Sequence, residues 1–458
     1  MKPPSRLWLR CSLIVALLLC GCASPPAALP ASVADEVAMR ERPERLIILA
    51  VANPKERLPS QAGSTLAGYS VTQRYATGTT ARETMEALKK TYGLKEIAAW
   101  PITALRLHCV VLEIAPGAVR DELLAALGQD SRVELAQPLQ SFSGLTGGNE
   151  RSSEKGSEKS SESRYNDPYA ALQHGFVEVK AAQAHQVSRG QGVGIALIDT
   201  GVDTSHPDLQ GRIATARNFV DRDDAQFSRD RHGTEVAGII AAVANNGLGI
   251  VGIAPEARLS IYKACWARSA AEGGGARCNS FTLAQALIAS LDDGSRIINL
   301  SLGGPPDELL GRLVGHAVKK GRIVIGAVPP DGSLAGFPVG VPGVIAVDTS
   351  GGAAGRSGVL QAPGRDILTL EPGGHYDFSS GSSLAAAHVS AVAALLLYAQ
   401  PELDASALHA LLERSHIAAA DGGSIDACAA LAGLHKKLTC PVVAETPVTS
   451  LSPGARAQ

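Results

Sequence analysis

Two different patterns of apolar and polar positions divide the chain. Between residues 44 and 145, short apolar runs alternate with amphipathic stretches in the order β-α-β-β-α-β. The predicted strands cover 46–51, 94–102, 105–114 and 132–142, and the predicted helices cover 80–92 and 121–127. Thr80 and Glu83 have the spacing of a capping box, and Gly93 ends the first helix. This element order is typical of a small ferredoxin-like α+β domain.

From residue 166 the pattern changes to nearly continuous apolar, β-branched runs that alternate with helical stretches. The predicted strands cover 193–198, 259–264, 297–302, 323–328 and 344–347, and the predicted helices cover 235–244, 282–291 and 309–320. Continuous apolar strands are buried on both faces, so the pattern predicts an α/β fold with a parallel sheet and helices on both sides. Ligand sites in such folds lie at the carboxyl ends of strands, and Asp199 follows such an end.

A stretch of small polar residues leads into an apolar helix near the C-terminus. Gly381, Ser382 and Ser383 precede a run to Tyr398 that contains neither Gly nor Pro. A helix that is apolar nearly all round is buried. A serine on its first turn lies near unpaired N–H groups and the positive end of the helix dipole, which suit a developing oxyanion. The alternative is a serine that only caps the helix.

Two further stretches supply partners for this serine. An apolar strand ends in Asp199 and a glycine turn, and His232 opens a second helix of small residues. The chain order Asp, His, Ser is that of subtilisin, and over residues 166–430 the chain resembles the subtilisin-like serine proteases (subtilases). Ser383 is then the nucleophile, His232 the general base and later acid, and Asp199 the carboxylate that orients the histidine. Glu235, one helical turn after His232, is expected to be structural, as are His206 and His388.

The resemblance also implies a substrate cleft and an oxyanion hole. Ser301, Leu302 and Gly303 match the family segment that lines the primary specificity pocket, and the pocket is expected to take a hydrophobic side chain. Pro330 occupies the position of the family asparagine that donates to the oxyanion, which leaves the Ser383 N–H and the Ser382 hydroxyl. Loss of that donor in subtilisin itself costs about 10²–10³ in turnover.

Three functions are compatible with these residues. The first is a slow serine endopeptidase that acts on proteins or peptides. The second is a pseudoprotease that binds a peptide or protein partner in the cleft without cutting it. The third, an esterase, agrees less well with the order of the triad and with the preceding domain.

The position of the α+β domain resembles that of a subtilase propeptide, which inhibits the enzyme with its C-terminal tail in the cleft. That propeptide-like domain would cover 44–145, with its tail at 137–145; the alternative is an independent α+β domain. Residues 146–165 are rich in Ser, Glu, Lys and Gly and are predicted to be a disordered processing linker. The catalytic domain would then cover 166–440, and a disordered tail 441–458.

The N-terminus has the features of an exported lipoprotein. Basic residues precede an apolar run at 13–19, as in a signal peptide. The sequence Leu-Cys-Gly-Cys at 19–22 resembles a bacterial lipobox with Cys22 as the lipid attachment site; the alternative is an ordinary secretory signal. No Asp follows Cys22, which resembles lipoproteins of the Gram-negative outer membrane. Residues 23–43 would be the tether to the membrane, and cutting the linker would release the catalytic domain.

Composition and cysteine spacing complete the expectations. Export permits disulfides, and we predict two local bridges, Cys265–Cys278 and Cys428–Cys440, which leave Cys109 as a buried thiol. The formal net charge of −2 over 458 residues argues against nucleic acid as a partner.

No cofactor is expected for the chemistry, but a structural calcium site is considered. Residues 244–250 resemble a subtilase calcium loop, with Asn246 and Asp208 as candidate ligands. The alternative is a plain glycine turn.

Overall fold

The computed structural model describes residues 32–55, 77–145, 165–221, 223–268, 275–351, 356–416 and 423–434. The predicted signal peptide with Cys22, the predicted linker apart from its last residue, Cys440 and the predicted tail lie outside these ranges.

The N-terminal region, residues 32–145, has the predicted β-α-β-β-α-β order. Its elements are α1 (Val33–Glu41), β1 (Leu46–Ala52), α2 (Thr79–Tyr92), β2 (Lys95–Ile102), β3 (Leu107–Glu113), α3 (Arg120–Gly128), β4 (Leu135–Pro138) and β5 (Ser141–Gly144). The strands β2-β3-β1-β4 form one antiparallel sheet. One of its faces packs against α2 and α3 in a separate core.

Three local predictions for this region are wrong. The predicted tether contains α1, which Ser32 caps and which buries Ala38 and Met39. Helix α2 begins at Thr79 after Gly78, without a side-chain cap. The single strand predicted over 132–142 is two strands, and β5 belongs to a different sheet. The break comes after Pro138, a residue that has no N–H to donate to a ladder.

The C-terminal region, residues 165–434, is built on a parallel sheet. Its first elements are α4 (His174–Glu178), α5 (Ala181–Ala184), β6 (Gly194–Asp199), β7 (Ile213–Asn218), α6 (Asp224–Phe227), α7 (Arg231–Ala241), β8 (Arg258–Lys263), β9 (Cys265–Ala267), β10 (Ala276–Asn279), α8 (Ser280–Asp292), β11 (Ile297–Leu300) and β12 (Leu302–Gly303). The later elements are α9 (Glu308–Lys319), β13 (Ile323–Ala327), β14 (Val344–Thr349), β15 (Val359–Ala362), β16 (Ile367–Glu371), β17 (His375–Ser379), α10 (Ser382–Ala399), α11 (Ala405–Arg414) and α12 (Ala427–Leu434).

Seven strands, in the order β15-β14-β13-β11-β6-β8-β7, pair in parallel. Ile195 and Leu197 of β6 belong to a core cluster that includes α7 and α10, whereas Ala196 and Ile198 pack with α8 and α9. The sheet is therefore covered by helices on both faces, and the predicted fold class is confirmed.

Helix α10 is the central helix of the C-terminal region. In the described part of the chain it alone is long and apolar enough to cross a membrane, yet 89% of the window that meets this test is buried inside the protein. We interpret it as a core helix, which holds the residues of its first turn rigidly.

The N-terminal region packs against α8 and α9 and shares a hydrophobic cluster with them. The rings of Trp100 and Phe281 meet edge to face, with centroids 4.9 Å apart. The Gln137 Nε2 group donates to Asp307 Oδ2 over 2.8 Å, and the Leu309 N–H donates to Gln137 Oε1 over 3.0 Å. As a result of these contacts, β5, the last strand of the N-terminal region, lies among strands of the C-terminal region.

Candidate active site

An acid and an imidazole meet at the carboxyl edge of the sheet. Asp199 is the last residue of β6, and His232 lies in the first turn of α7. The Nδ1 atom of His232 lies 2.5 Å from Asp199 Oδ1, which also accepts a hydrogen bond from the Thr200 N–H over 2.7 Å. This contact holds the imidazole in one orientation, with Nε2 free for another partner.

Glycines allow α7 to approach the turn after β6. A Cβ added at Gly233 would lie 2.4 Å from the Gly201 carbonyl oxygen, so a larger residue would push the helix away. The Gly201 N–H donates to Asp230 Oδ2 over 2.9 Å, and the buried Lys263 ammonium donates to the same carboxylate. The turn that carries Asp199 and the helix that carries His232 are thus tied together.

Ser383 lies in the first turn of α10, which packs against α7. Asp199 is 3% exposed, His232 7% and Ser383 0%. Among the described residues, neither Ser383 Oγ nor His232 Nε2 has a hydrogen-bond partner. The structure therefore contains a formed Asp–His pair and a buried serine hydroxyl that is not bonded to the histidine. Such a bond often tightens only when a substrate reacts.

The electrostatic environment of His232 favours its charged form. Burial lowers the pKa of the imidazole, but the charge and hydrogen bond of Asp199, together with the charge of Glu235, outweigh burial and raise the pKa above 6.5. Glu235 is 2% exposed, and its Oε1 atom lies 2.7 Å from Arg231 Nε. Glu235 thus raises the pKa of His232 in addition to the structural role expected of it.

The substitution Glu235→Gln is expected to move the acidic limb of the pH–rate profile to lower pH. A general base must be neutral, and removing the negative charge of Glu235 lowers the pKa of His232. The measurement is kcat/KM against pH. Asp377→Asn is the matched control, because Asp377 also pairs with Arg231 but does not contribute to the shift of His232. A limb that stays in place or moves to higher pH in Glu235→Gln would contradict this account.

Strand β5 lies in a cleft between two strands of the C-terminal region. It pairs antiparallel with β10, where Phe142 faces Cys278, and with β12, where Ser143 faces Gly303. The Leu145 N–H donates to the Ser301 carbonyl oxygen over 3.3 Å. The segment Ser301, Leu302 and Gly303 therefore forms one wall of the cleft, at the place that the sequence predicts for substrate binding.

The opposite wall, β10, is absent from the sequence prediction. A signal for it exists in the sequence: Cys265 and Cys278 flank a glycine-rich stretch, as expected of a bridged hairpin. The structure has that hairpin, with the two cysteines directly opposite each other in β9 and β10.

The carbonyl group of Leu145 lies next to the first turn of α10. The Ser383 N–H donates to the Leu145 oxygen over 3.5 Å, beside the buried hydroxyl of the same serine. The Leu145 side chain is buried, and a Cβ added at Gly303 would lie 3.3 Å from its Cδ1 and 3.5 Å from the Pro329 Cβ. Leu145 also belongs to the large hydrophobic cluster of the C-terminal region.

The expected role of the Ser382 hydroxyl as an oxyanion donor is wrong in this arrangement. It donates instead to the Val328 carbonyl oxygen over 2.6 Å, which ties α10 to the end of β13. Pro330 lies in the turn that follows, where the Gly332 N–H donates to the Pro329 oxygen over 2.7 Å. Pro330 has no hydrogen to donate, so the Ser383 N–H is the described donor to the Leu145 oxygen.

Asp208 and Asn246 lie together, but the calcium ligands expected there are bonded to each other. The Asn246 Nδ2 group donates to Asp208 Oδ1 over 2.7 Å, and the Ile250 N–H donates to Asp208 Oδ2 over 3.0 Å. The amide oxygen of Asn246 accepts from the Leu248 N–H over 2.9 Å. The pair does not fit a calcium ion in this arrangement, because the two side chains do not present oxygens to one point, and no step below depends on calcium.

The structure also describes most of the predicted cysteines and the buried His388. The Cys265–Cys278 disulfide is confirmed, and Cys109 is a buried free thiol whose pKa is raised by burial. Cys428 is also disulfide-bonded, but Cys440 lies outside the described residues, so that pairing stays a prediction. His388 is buried in α10 beside the Leu384 carbonyl oxygen, and burial lowers its pKa to about 4.

Comparisons with known proteins agree with this fold. The sequence profile of the Subtilase family (Peptidase_S8) matches residues 190–433. More than half of the chain is matched, and the chain therefore belongs to the subtilase family of subtilisin-like serine proteases. Thermitase of Thermoactinomyces vulgaris is 35% identical over 262 residues, which are 55% of this chain and 90% of that protein. The thermophilic serine proteinase of Bacillus sp. (strain AK1) is 33% identical over 329 residues, which are 69% of this chain and 76% of that protein.

A solved structure agrees in fold over much of the chain. Fervidolysin from Fervidobacterium pennivorans, described as a keratinolytic enzyme related to subtilisin, superposes with a TM-score of 0.64 and 22% identity. The match covers 84% of this chain and 60% of fervidolysin.

Proposed function

We propose that this protein is a membrane-tethered serine endopeptidase that first cuts its own chain after Leu145. The observation that supports this most directly is the Leu145 carbonyl oxygen, which accepts from the Ser383 N–H at the end of a strand held on both sides. Proteases bind substrates as extended strands, and β5 has that conformation and position. Proteins and peptides with a hydrophobic residue before the cut bond are the proposed substrates.

The reaction follows from the residues around that carbonyl group. Ser383 Oγ attacks the Leu145 carbonyl carbon while its proton passes to His232 Nε2, and the Ser383 N–H donates to the resulting oxyanion. Asp199 stabilises the imidazolium through Nδ1. The tetrahedral species collapses when His232 protonates the departing amine of Thr146, which leaves Leu145 esterified to Ser383. Water, deprotonated by His232, then releases the Leu145 carboxylate and restores the serine.

The N-terminal region is proposed to be the propeptide and inhibitor. Several contacts would remain after the cut: the Gln137–Asp307 hydrogen bond, the Arg40–Asp221 ion pair at 2.7 Å and both ladders of β5. The cut fragment would therefore stay in place by non-covalent contact. If Cys22 carries a lipid, the fragment keeps the anchor on the outer membrane, and the catalytic region leaves the membrane when the fragment dissociates.

A pseudoprotease is the second candidate, and two observations favour it. The Pro330 position supplies no oxyanion donor, and Ser383 Oγ is not hydrogen-bonded to His232. Such a protein would hold β5, or another peptide, in the cleft without cutting it.

A fluorophosphonate probe separates the two candidates, because it reacts only with an activated serine hydroxyl. The full chain is first purified, and mass spectrometry shows whether it has cut itself; we expect a fragment that begins at Thr146. The probe is then added, both to this sample and to a sample from which added protease has removed the N-terminal region. We expect a label on Ser383, and no label in His232→Ala. An unlabelled Ser383 in a chain freed of its N-terminal region would identify a pseudoprotease. The mass of the N-terminal fragment tests the anchor in the same experiment, since lipid on Cys22 adds acyl chains.

A further inference from the structure

We propose that the cleft selects glycine as the second residue before the cut bond, and that Ala276 enforces this choice. The inference rests on the proposed function, because it takes β5 to be bound as a substrate strand is bound. It names a sequence class of substrate, peptides with Gly-Leu before the cut bond, and a residue that determines specificity.

Gly144 approaches β10 more closely than a larger residue could. A Cβ added at Gly144 would lie 3.0 Å from the Ala276 Cβ. Facing Cβ atoms in paired strands are normally about 4.5–5.5 Å apart. The φ angle of Gly144 is not in the positive range, so an L residue could adopt the backbone conformation. A side chain at this position would therefore need the Ala276 methyl group to give way by a few tenths of an ångström.

Ala276 is held so that it cannot easily move aside. It is 6% exposed and pairs with Ala267 of β9, and the Cys265–Cys278 disulfide joins the same two strands. At the other end of β10, the Asn279 side chain caps α8 by accepting from the Thr282 N–H over 3.0 Å. A shift of Ala276 would disturb this ladder and the cap, so the contact resists relaxation.

Ala276 also lines a cavity next to His232. The cavity has a volume of about 360 Å³, and Arg231, Glu235 and Ala267 are among its other lining residues. Removing the methyl group should therefore open a subsite and let the cleft accept residues other than glycine.

The test uses self-cleavage of the full chain, with the rate of appearance of a fragment beginning at Thr146 as the readout. Gly144→Ala is expected to slow this cut about tenfold to a hundredfold, the effect of forcing one methyl group into a packed space. Adding Ala276→Gly should restore the rate to within about threefold of the parent, because it removes the facing methyl group. Adding Ala267→Gly, the same change on the next strand, should not restore it.

Each outcome bears on the inference. A Gly144→Ala chain that cuts itself at the parent rate would overturn the inference and leave the proposed function standing. Slow cutting that Ala267→Gly rescues as well as Ala276→Gly would also overturn it, because general loosening would then explain the effect. A parent chain that never cuts itself would overturn both proposals. The far-UV circular dichroism spectrum of purified Gly144→Ala separates slow cutting from a failure to fold, because Ala276→Gly would relieve either.

Discussion

A Ser383→Ala chain is expected to stay uncut between Leu145 and Thr146 and to keep its N-terminal region covalently attached. The hydroxyl is the only group that this change removes, and without it no acyl-enzyme forms. The rate should fall by roughly 10³-fold or more, since loss of a triad nucleophile removes most of the catalysis that the unit provides. The fragment that begins at Thr146 is quantified by mass spectrometry in purified protein over time.

Ser380→Ala is the matched control for this prediction. Its hydroxyl accepts a hydrogen bond from the Asp366 N–H over 2.9 Å, and it lies three positions before Ser383. The control chain should cut itself at the parent rate. If purified Ser383→Ala produced the fragment as fast as the parent, another nucleophile or a contaminating protease would be responsible, and Ser383 would lose its assigned role.

Pro330→Asn is expected to raise the turnover number by about 10²–10³, the magnitude attributed to one oxyanion donor. Pro330 is exposed, and the turn at Pro329–Gly332 does not need its ring for the hydrogen bond. The prediction takes Pro330 to correspond to the family asparagine that donates to the oxyanion. The measurement is kcat on a peptide with the sequence of residues 142–148, for chains that have lost their N-terminal region.

Pro330→Ala is the control that separates the effect of adding an amide donor from the effect of removing the proline ring. If the effect comes from hydrogen bonding to the oxyanion, the alanine chain should remain near the parent value and only the asparagine chain should gain. Equal rates in the two variants would show that a donor at this position does not reach the reacting carbonyl. The slow rate expected of the parent would then need another cause.

The candidate triad could be predicted from sequence because each member occupies a locally encoded position. A continuous apolar strand ends at Asp199, and small-residue helices begin near His232 and Ser383. Strand and helix periodicity marks these positions, and the resemblance to the subtilase motifs and their chain order selects the three residues. The predicted positions of the acid and the imidazole meet in the structure, whereas the hydrogen bond between His232 and Ser383 is not formed.

The contacts that surround the triad could not be predicted, because they join distant parts of the chain. Gln137 and Asp307 are 170 residues apart, and no local pattern marks them as partners. The motif predicts an oxyanion role for the Ser382 hydroxyl, because a local sequence match carries no information about the Val328 carbonyl group, 54 residues away. The apolar run at 132–142 predicted one strand, since periodicity does not show that its second half pairs with another sheet.

The position of β5 inside a sheet has a kinetic consequence. An edge strand dissociates by losing hydrogen bonds to one neighbour, but β5 lies between β12 and β10, in the order β12-β5-β10-β9. Its departure breaks two ladders at once and leaves two unpaired edges facing water. After the cut, β5 should therefore remain in the cleft for a time and keep the enzyme inactive toward other substrates. The length of this lag would depend on the rate at which β5 dissociates more than on the rate of hydrolysis.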